Sequence, residues 1–376
     1  MKWEKVKLGN VTDSCLGKML DQNKNKGDYQ PYLANVNVRW GEFDLEDLPL
    51  MKFEESEQER YELKYGDLVI CEGGEPGRCA IWKEQIPNMK IQKALHRVRV
   101  HDCLDYRYLF YWFLLAGKTG ELDQYFTGAT IKHMPGQKLK EVVIDKPPLE
   151  IQHRIADILS AYDDLIENNQ KQIKLLEEAA QRLYKEWFVD LRFPGYENTK
   201  IVDGVPEGWS RGLLKELISV NYGKDHKKAP DDGNIPVYGS GGLMRKCNKS
   251  LFSGEAVLIP RKGSLNNIMY VDETFWTVDT MFYATMKQPH TAVFVYFFVK
   301  AFDMYSMNIG AAVPSMTTKI LDAMDVVIPD KETLEKFDKC AKTYFNKIKT
   351  LQGQNERLKT ARNLLLPKLM SGEVGV

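Results

Sequence analysis

The feature that most restricts the fold of this chain is that it says everything twice. In its first half Gly128-Ala129-Thr130 is followed by the apolar run Val142-Val143-Ile144, by Pro147-Pro148, and by a long helical stretch from Glu150. In its second half Gly310-Ala311-Ala312 is followed by Val326-Val327-Ile328-Pro329 and another helical stretch from about Thr333. Further back, Tyr65-Gly66-Asp67-Leu68-Val69-Ile70 has a counterpart in Ser253-Gly254-Glu255-Ala256-Val257-Leu258-Ile259. Each is a turn glycine and an acid leading into a buried strand. Trp3 is echoed by Trp209, after a linker whose Pro194-Gly195 breaks the preceding helix. With 376 residues the chain is too long for one ordinary core, and the repeat resolves it into two copies of one unit, a mixed α/β domain followed by a long helix.

The helical stretches share a seam. Ile166, Asn169, Ile173, Leu176, Ala180, Leu183 and Trp187 recur at threes and fours, and so do Ile348, Leu351, Asn355, Leu358, Arg362, Leu365 and Leu369. One shift (348 − 166 = 182) carries the first set onto the second, heptad by heptad. Each helix, at roughly 37 residues, is about 55 Å long, too long for the interior of a small domain. Glu150 to Arg192 holds six bases and nine acids, whereas Glu332 to Val376 holds nine bases and five acids. Opposite net charges favour pairing with each other over self-pairing. Asn169 and Asn355 stand in the seam, either as buried amides that fix register or as exposed groups at a frayed seam. The fold class expected is α+β: two globular mixed α/β domains, each followed by a long helix, the helices forming an antiparallel coiled coil with pseudo-two-fold symmetry. The expected boundaries are 1–149 and 207–331 for the domains, 150–192 and 332–376 for the helices, and 193–206 for the linker.

The stretch VICEGGEPGRCAIW, Val69 to Trp82, has the look of a phosphate cradle or a redox site. Its counterpart LIPRKGSLNNIMYV keeps strand, turn and strand but loses both cysteines and most of the glycines. The expectation is therefore a β-hairpin with a tight loop, in which the bases Arg78 in one copy and Arg261 with Lys262 in the other are worth keeping. The six cysteines form no C-x-x-C pair and are expected to be free thiols, with no metal site; His96, His101 and Cys103 read as strand residues. A charged N-terminus without a signal peptide, and no run apolar enough to span a membrane, point to the cytoplasm.

Three stretches, EGGEPGRCAIW, PPLEIQHRIADILSAYDDLIENNQKQIKLLEEAAQRLYKEWFVDLRFPG and LLLPKLMSGEV, resemble the specificity (S) subunits of type I restriction-modification systems, the HsdS family, and the likeness spans the whole chain. The resemblance implies that each domain is a target recognition domain reading one half of a gapped, bipartite sequence in double-stranded DNA, and that the helices set the gap. It also implies partners: methyltransferase (M) subunits, two being expected, docked on the helices, and restriction (R) subunits where present. S-adenosylmethionine is expected on the methyltransferase subunit, with no cofactor and no catalytic residue in this chain. The residues agree. Pro147-Pro148 is flanked by Lys146 and Leu149, not by the residues of an amino-methyltransferase corner. AGKTG at Ala116 to Gly120 lacks the first glycine of a phosphate loop, since position 112 is Trp112. The alternatives are a coiled-coil scaffold that binds proteins, or the specificity subunit of a related methyltransferase-nuclease system without separate R subunits.

With 52 basic and 52 acidic residues, any DNA-binding surface must be local. Arg211 to Lys262 holds ten bases against five acids and is the best candidate. The expected DNA contacts are Lys224, Lys227, Lys228, Arg245, Arg261 and Lys262 there, and Lys24, Arg39, Arg78 and Lys132 in the first domain, with Lys18 beside them. Each alone reads as an ordinary solvated base; together they favour a polyanion. Tyr29, Tyr32, Tyr222 and Tyr238 could touch bases or pack in the core, and the acidic run Glu54 to Glu62 is expected to face away from DNA.

Overall fold

The computed structural model describes residues 3–21, 25–307 and 315–376, so Lys24 and the Gly310-Ala311-Ala312 member of the repeat lie outside the described residues, as does the side chain of Lys228. The chain divides into two compact units: Met1–Asn168 with Gln354–Val376, and Asn169–Gly353. Each unit therefore holds one α/β head and one end of both long helices.

In the first unit β1 (Glu4–Lys7), β2 (Thr12–Leu16), β3 (Asp28–Leu33), β4 (Leu50–Phe53), the single turn α1 (Gln58–Tyr61), β5 (Leu68–Cys71), β6 (Cys79–Ile81), β7 (Lys90–Ile91), β8 (Leu95–Val100), α2 (Tyr106–Thr119), α3 (Gly136–Glu141) and β9 (Val143–Lys146) lead into α4 (Leu149–Tyr184). The strands form sheets in the orders β2-β8-β5-β6, β4-β3-β7 and β1-β9. In the second unit a short hairpin, β10 (Ile201–Val202) with β11 (Val205–Pro206), precedes β12 (Ser210–Leu213), β13 (Ile218–Tyr222), β14 (Ile235–Gly239), β15 (Gly242–Cys247), β16 (Phe252–Pro260), β17 (Met269–Thr277), β18 (Met281–Met286), α5 (Ala292–Lys300), α6 (Thr318–Asp322) and β19 (Asp325–Ile328), which lead into α7 (Lys331–Met370). Here the orders are β13-β18-β16-β17-β14-β15 and β12-β19.

The two heads repeat each other pairing by pairing. β2 with β8, β8 with β5, and β5 with β6 recur as β13 with β18, β18 with β16, and β16 with β17, all antiparallel. The parallel pair β3 and β7 recurs as β14 and β17. The sheets differ in continuity: β17 runs unbroken through nine residues, so one sheet has six strands, whereas in the first head the same run is cut into β6 and β7. The cut has a local cause. Glu84 and Asn88 take φ of 55° and 56°, and Pro87 between them offers no N–H to a ladder.

Local chemistry sets the main elements. All four residues of β5 are buried, as a strand covered on both faces requires. Asp105 caps α2 by accepting from the amides of Arg107 and Tyr108, and Gly120 ends it at φ 76°, so the AGKTG stretch is a helix terminus. α7 starts at a true cap: Asp330 accepts from the Thr333 amide at 2.9 Å and from its hydroxyl at 2.7 Å.

In the first unit Ile155, Ala156 and Leu159 of α4 share a core with Leu366, Leu369 and Met370 of α7, together with Tyr108, Leu139 and Ile144 of the head. In the second, Ala180, Tyr184 and Trp187 share a core with Leu334, Phe337 and Ala341. Within each unit the start of one helix thus meets the end of the other, which makes the pair antiparallel. α4 gives way to a π-helical turn, Lys185–Val189, and the chain then turns at Leu191 (φ 56°), before the Pro194-Gly195 pair that was expected to break it. Ile166, Ile348 and Leu351 are buried, and Ile173, Leu176, Leu183, Leu358 and Leu365 are half-buried. Asn169 and Asn355, only 7% and 6% exposed, are buried amides and not groups of a frayed seam.

Candidate nucleic-acid interface

In the first head three connections converge at one end of the sheet. Asn35, just after β3, donates through Nδ2 to the Gly73 carbonyl at 3.0 Å. Gly73 bridges His133, and the Met134 amide donates to Glu72 O at 2.7 Å. Arg78 ties two of these segments together: Nη2 donates to Asn35 O at 3.1 Å and Nη1 to the Glu75 carboxylate at 3.1 Å. With its side chain 17% exposed, Arg78 is a clamp on the loop more than a free cation. Among the side chains exposed on these loops are Val36, Arg39, Ile131 and Lys132, with Glu75, Thr130 and His133 beside them. Arg39 donates to the Val36 and Val38 carbonyls, and Lys132 pairs with Asp123 at 3.5 Å, its ammonium 5.6 Å from the centre of the Phe126 ring. The hairpin expected at Val69 to Trp82 is present, since β5 and β6 pair antiparallel. Burial pushes the Cys71 thiol up to about 11 and the Cys79 thiol well above its usual value, so neither is a ready thiolate at neutral pH.

The second head places the same connections in the same way. The Met316 amide donates to Arg261 O at 2.9 Å and Lys262 bridges Ser315, matching Met134, Glu72, Gly73 and His133. Asn267 donates to Ser240 O at 2.9 Å, the bond that Arg78 makes to Asn35. The bases singled out in the two loops are therefore not equivalents: Asn267 stands where Arg78 does, and Arg261 and Lys262 stand where Glu72 and Gly73 do. Arg261 lies over the exposed Tyr222 ring, 5.4 Å from its centre, and donates to Asp279 O at 3.3 Å. Lys224, whose amide bonds Thr277 O at 2.9 Å, and Lys262 project from the same turn region. Lys227 is exposed on the short turn capped by Asp225. Arg245 is committed elsewhere: it pairs with Asp231 and donates to the carbonyls of His226 and Ala229 (2.7 Å), holding the connection before β14 against β15.

Structure thus brings Lys224, Arg261 and Lys262 together and sets Arg78 and Arg245 apart as internal braces. Lys18, the counterpart of Lys224, is buried: Nζ lies 2.5 Å from Glu57 Oε2 and 2.8 Å from Lys52 O. It belongs to a set of buried bases beneath the acidic run. Lys90 pairs with Glu62 at 3.2 Å, and Arg97 donates to the carbonyls of Glu59 (3.1 Å) and Arg60 (2.9 Å). Although its desolvation works in the opposite direction, the bond from Lys18 holds the Glu57 carboxyl below its usual range. Tyr29 and Tyr222 are exposed, whereas Tyr32 is buried and Tyr238 donates to Glu273 at 2.6 Å. Of the histidine and cysteine trio only His96 is in a strand, buried with Nε2 3.0 Å from Met134 O; His101 and Cys103 follow in the turn. Among the described residues no cluster of three metal-binding side chains occurs, and no helix is long and apolar enough to cross a membrane. Sequence reasoning passed over Val36, Ile131, Leu243 and Met244, exposed on the converging loops and on β15, because apolar letters read as core.

Comparison with known proteins agrees with this architecture. The family described as "Type I restriction modification DNA specificity domain" matches residues 1–178 and 206–360. The MjaIX specificity subunit of a type I restriction enzyme from Methanocaldococcus jannaschii is 27% identical over 354 residues, covering 83% of this chain and 78% of that protein. The MjaVIII specificity subunit of the same organism is 23% identical over an alignment covering 100% of this chain and 93% of that protein. The crystal structure of the type I S subunit from M. genitalium shares the fold with a TM-score of 0.61 at 18% identity, covering 98% of this chain and 96% of that one. The match over most of its length shows that the chain belongs to the type I restriction-modification specificity (S) subunits, the non-catalytic component that confers DNA specificity.

Proposed function

We propose that each head reads one half of an interrupted target in duplex DNA and that the paired helices set the gap and dock the methyltransferase subunits. The observation that carries this reading is the duplication itself: two heads with the same strand pairings, each holding one end of an antiparallel helix pair. A duplicated reader suits a target with two parts. The recognition domains are assigned to residues 1–149 and 207–331, the helices to 150–192 and 332–376, and the linker to 193–206. Phosphate contacts are assigned to the exposed bases Lys224, Lys227 and Lys262 and the half-buried Arg261 in the second head, and to the exposed Arg39 and Lys132 in the first. Leu165, Leu175 and Leu364 are exposed on the helices, and these apolar side chains support a partner docking there. Methyl transfer, with S-adenosylmethionine, belongs to that partner, and DNA cleavage to R subunits where they join.

Co-expression with the cognate methyltransferase subunit and mapping of methylated adenines tests the reading. One two-part motif with a fixed gap is expected, its halves about one helical turn apart, roughly 34–36 Å, if both lie on one face of the duplex. Exchanging Arg211 to Pro329 for the segment of a relative should change one half only. Leu176→Glu with Leu358→Glu should abolish methylation at both halves, because the seam loses apolar contacts. Methylation at an uninterrupted site, or a charged double variant that methylates normally, would overturn the proposal and leave the protein-binding scaffold as the better reading.

A further inference from the structure

The β14–β15 hairpin of the second head carries a feature that phosphate binding does not explain. Leu243 and Met244, next to each other near its tip, are 59% and 54% exposed. Neighbours in a regular strand point to opposite faces. Here Tyr238 pairs with Leu243 and Val237 with Arg245, so Met244 is the extra residue of a β-bulge, which breaks that alternation and re-aims the side chain. The seat is prepared. A Cβ on Gly239 would lie 2.5 Å from the Met244 sulfur, so the glycine makes room for the thioether, and the same point is 3.6 Å from a methyl of Val278. Val278 opens the turn on which the basic cluster is built: its amide donates to Tyr238 O at 3.0 Å, and the Thr280 carbonyl accepts from the Arg261 amide at 2.8 Å. An exposed apolar pair thus stands at the edge of Lys224, Arg261 and Lys262, in a segment with ten bases and five acids.

From this juxtaposition we propose that Leu243 and Met244 read the 5-methyl group of a thymine in the major groove, in the half-site belonging to the second head. The basic frame selects a polyanion. Within it two side chains with no strong hydrogen-bonding group can recognise only the apolar feature of a base edge, which in the major groove is the thymine methyl. The proposal rests on the half-site reading above and adds the residues that discriminate an A·T pair.

The test uses the complex of this chain with its methyltransferase subunit, the second head's half-site being identified beforehand by exchange of Arg211 to Pro329. Thymines of that half-site are replaced one at a time by uracil, which lacks only the methyl group. At one position uracil should weaken binding of the natural chain roughly 4-fold, the value of burying about one methyl group. The Leu243→Ser/Met244→Ser variant should bind the thymine duplex more weakly by a similar factor and ignore the replacement, with the other half-site unaffected. Both residues are exposed, so an unchanged melting temperature is expected and confirms that the variant is folded. A natural chain indifferent to uracil at every position, a half-site without an A·T pair, or a variant that keeps full uracil sensitivity would overturn the proposal. The half-site reading itself fails separately, if the segment exchange alters neither half of the motif.

Discussion

The two heads are fastened to the helix pair by different chemistry at equivalent positions. In the first, the Tyr111 hydroxyl of α2 donates to Asp163 of α4 at 2.6 Å, and Arg362 of α7 pairs with the other oxygen of the same carboxylate. Burial pushes the Tyr111 phenol far above its usual value, so it remains a proton donor throughout the physiological range. In the second head the matching residues are Phe297, Phe345 and Ala180, and the junction is aromatic: Phe297 lies 6.1 Å from Phe345 and stacks on Tyr184 at 5.4 Å. Phe337 adds edge contacts to Tyr184 at 6.3 Å and Phe188 at 4.8 Å. One fold is thus closed by a charged triad at one end and by packed rings at the other. The lesson is that the repeat preserves geometry while leaving the means of closure free. The charged version depends on all its members, because removing one leaves the others without their intended partner.

The contrast can be broken from the largest effect downward. Phe337→Ala should destabilise the second unit by about 3–5 kcal/mol, the range for deleting a fully buried ring, and leave the first unit's unfolding transition in place. Arg362→Ala should cost the first unit about 2 kcal/mol, as expected for hydrogen bonds to a partly exposed charge. Transplanting the aromatic solution as Tyr111→Phe/Asp163→Phe/Arg362→Ala should recover more than half of that loss in calorimetry. A triple variant no more stable than Arg362→Ala would show that the two closures are not interchangeable.

Next is Asp330→Ala, at about 1 kcal/mol for the lost cap of α7 at neutral pH. The Asp330 carboxyl is partly desolvated, which opposes ionisation, but bonds from Thr333 and from Trp209 (2.9 Å) hold it below its ordinary range. A depressed folded-state value means that this stabilisation is complete above about pH 4. It fades as pH falls through the folded-state value, so the difference between variant and natural chain should shrink in acid denaturation. The first unit has Pro148 at the matching place, and there Trp3 donates to the Met370 carbonyl at 3.1 Å instead; its helix start should show no such dependence. Smallest in stability is Lys262→Ala, expected within about 0.5 kcal/mol of the natural chain. If Lys262 contacts a phosphate, the salt slope of DNA binding should drop by about 0.9.

Much of this was legible in advance. Long helices announce themselves by a period that survives over many turns, and a duplicated order of elements survives even where the residues differ. The fate of individual bases was not legible, because it depends on partners far away in the chain. Lys18 and Lys224 follow equivalent glycines, yet one is buried against Glu57 and the other is exposed. The cause is the turn at Glu55 to Tyr61, which supplies the first head with carboxylates and carbonyls that the sheet's bases neutralise. Arg78 and Arg245 looked like free cations for the same reason: loop carbonyls left unpaired by strands take up guanidinium donors, and no local pattern marks them. The bulge at Met244 is equally silent, since it is defined by the register of a pair and not by either strand alone.

That the first unit closes only with Gln354–Val376 sets an order on synthesis. The N-terminal head must wait, with Ile155, Ala156 and Leu159 uncovered, until Gln354–Val376 has been translated, while the head made later has every one of its segments by Gly353. A premature stop codon just beyond Gly353 should therefore injure the N-terminal reader and spare the C-terminal one, the reverse of the usual damage done by late truncations.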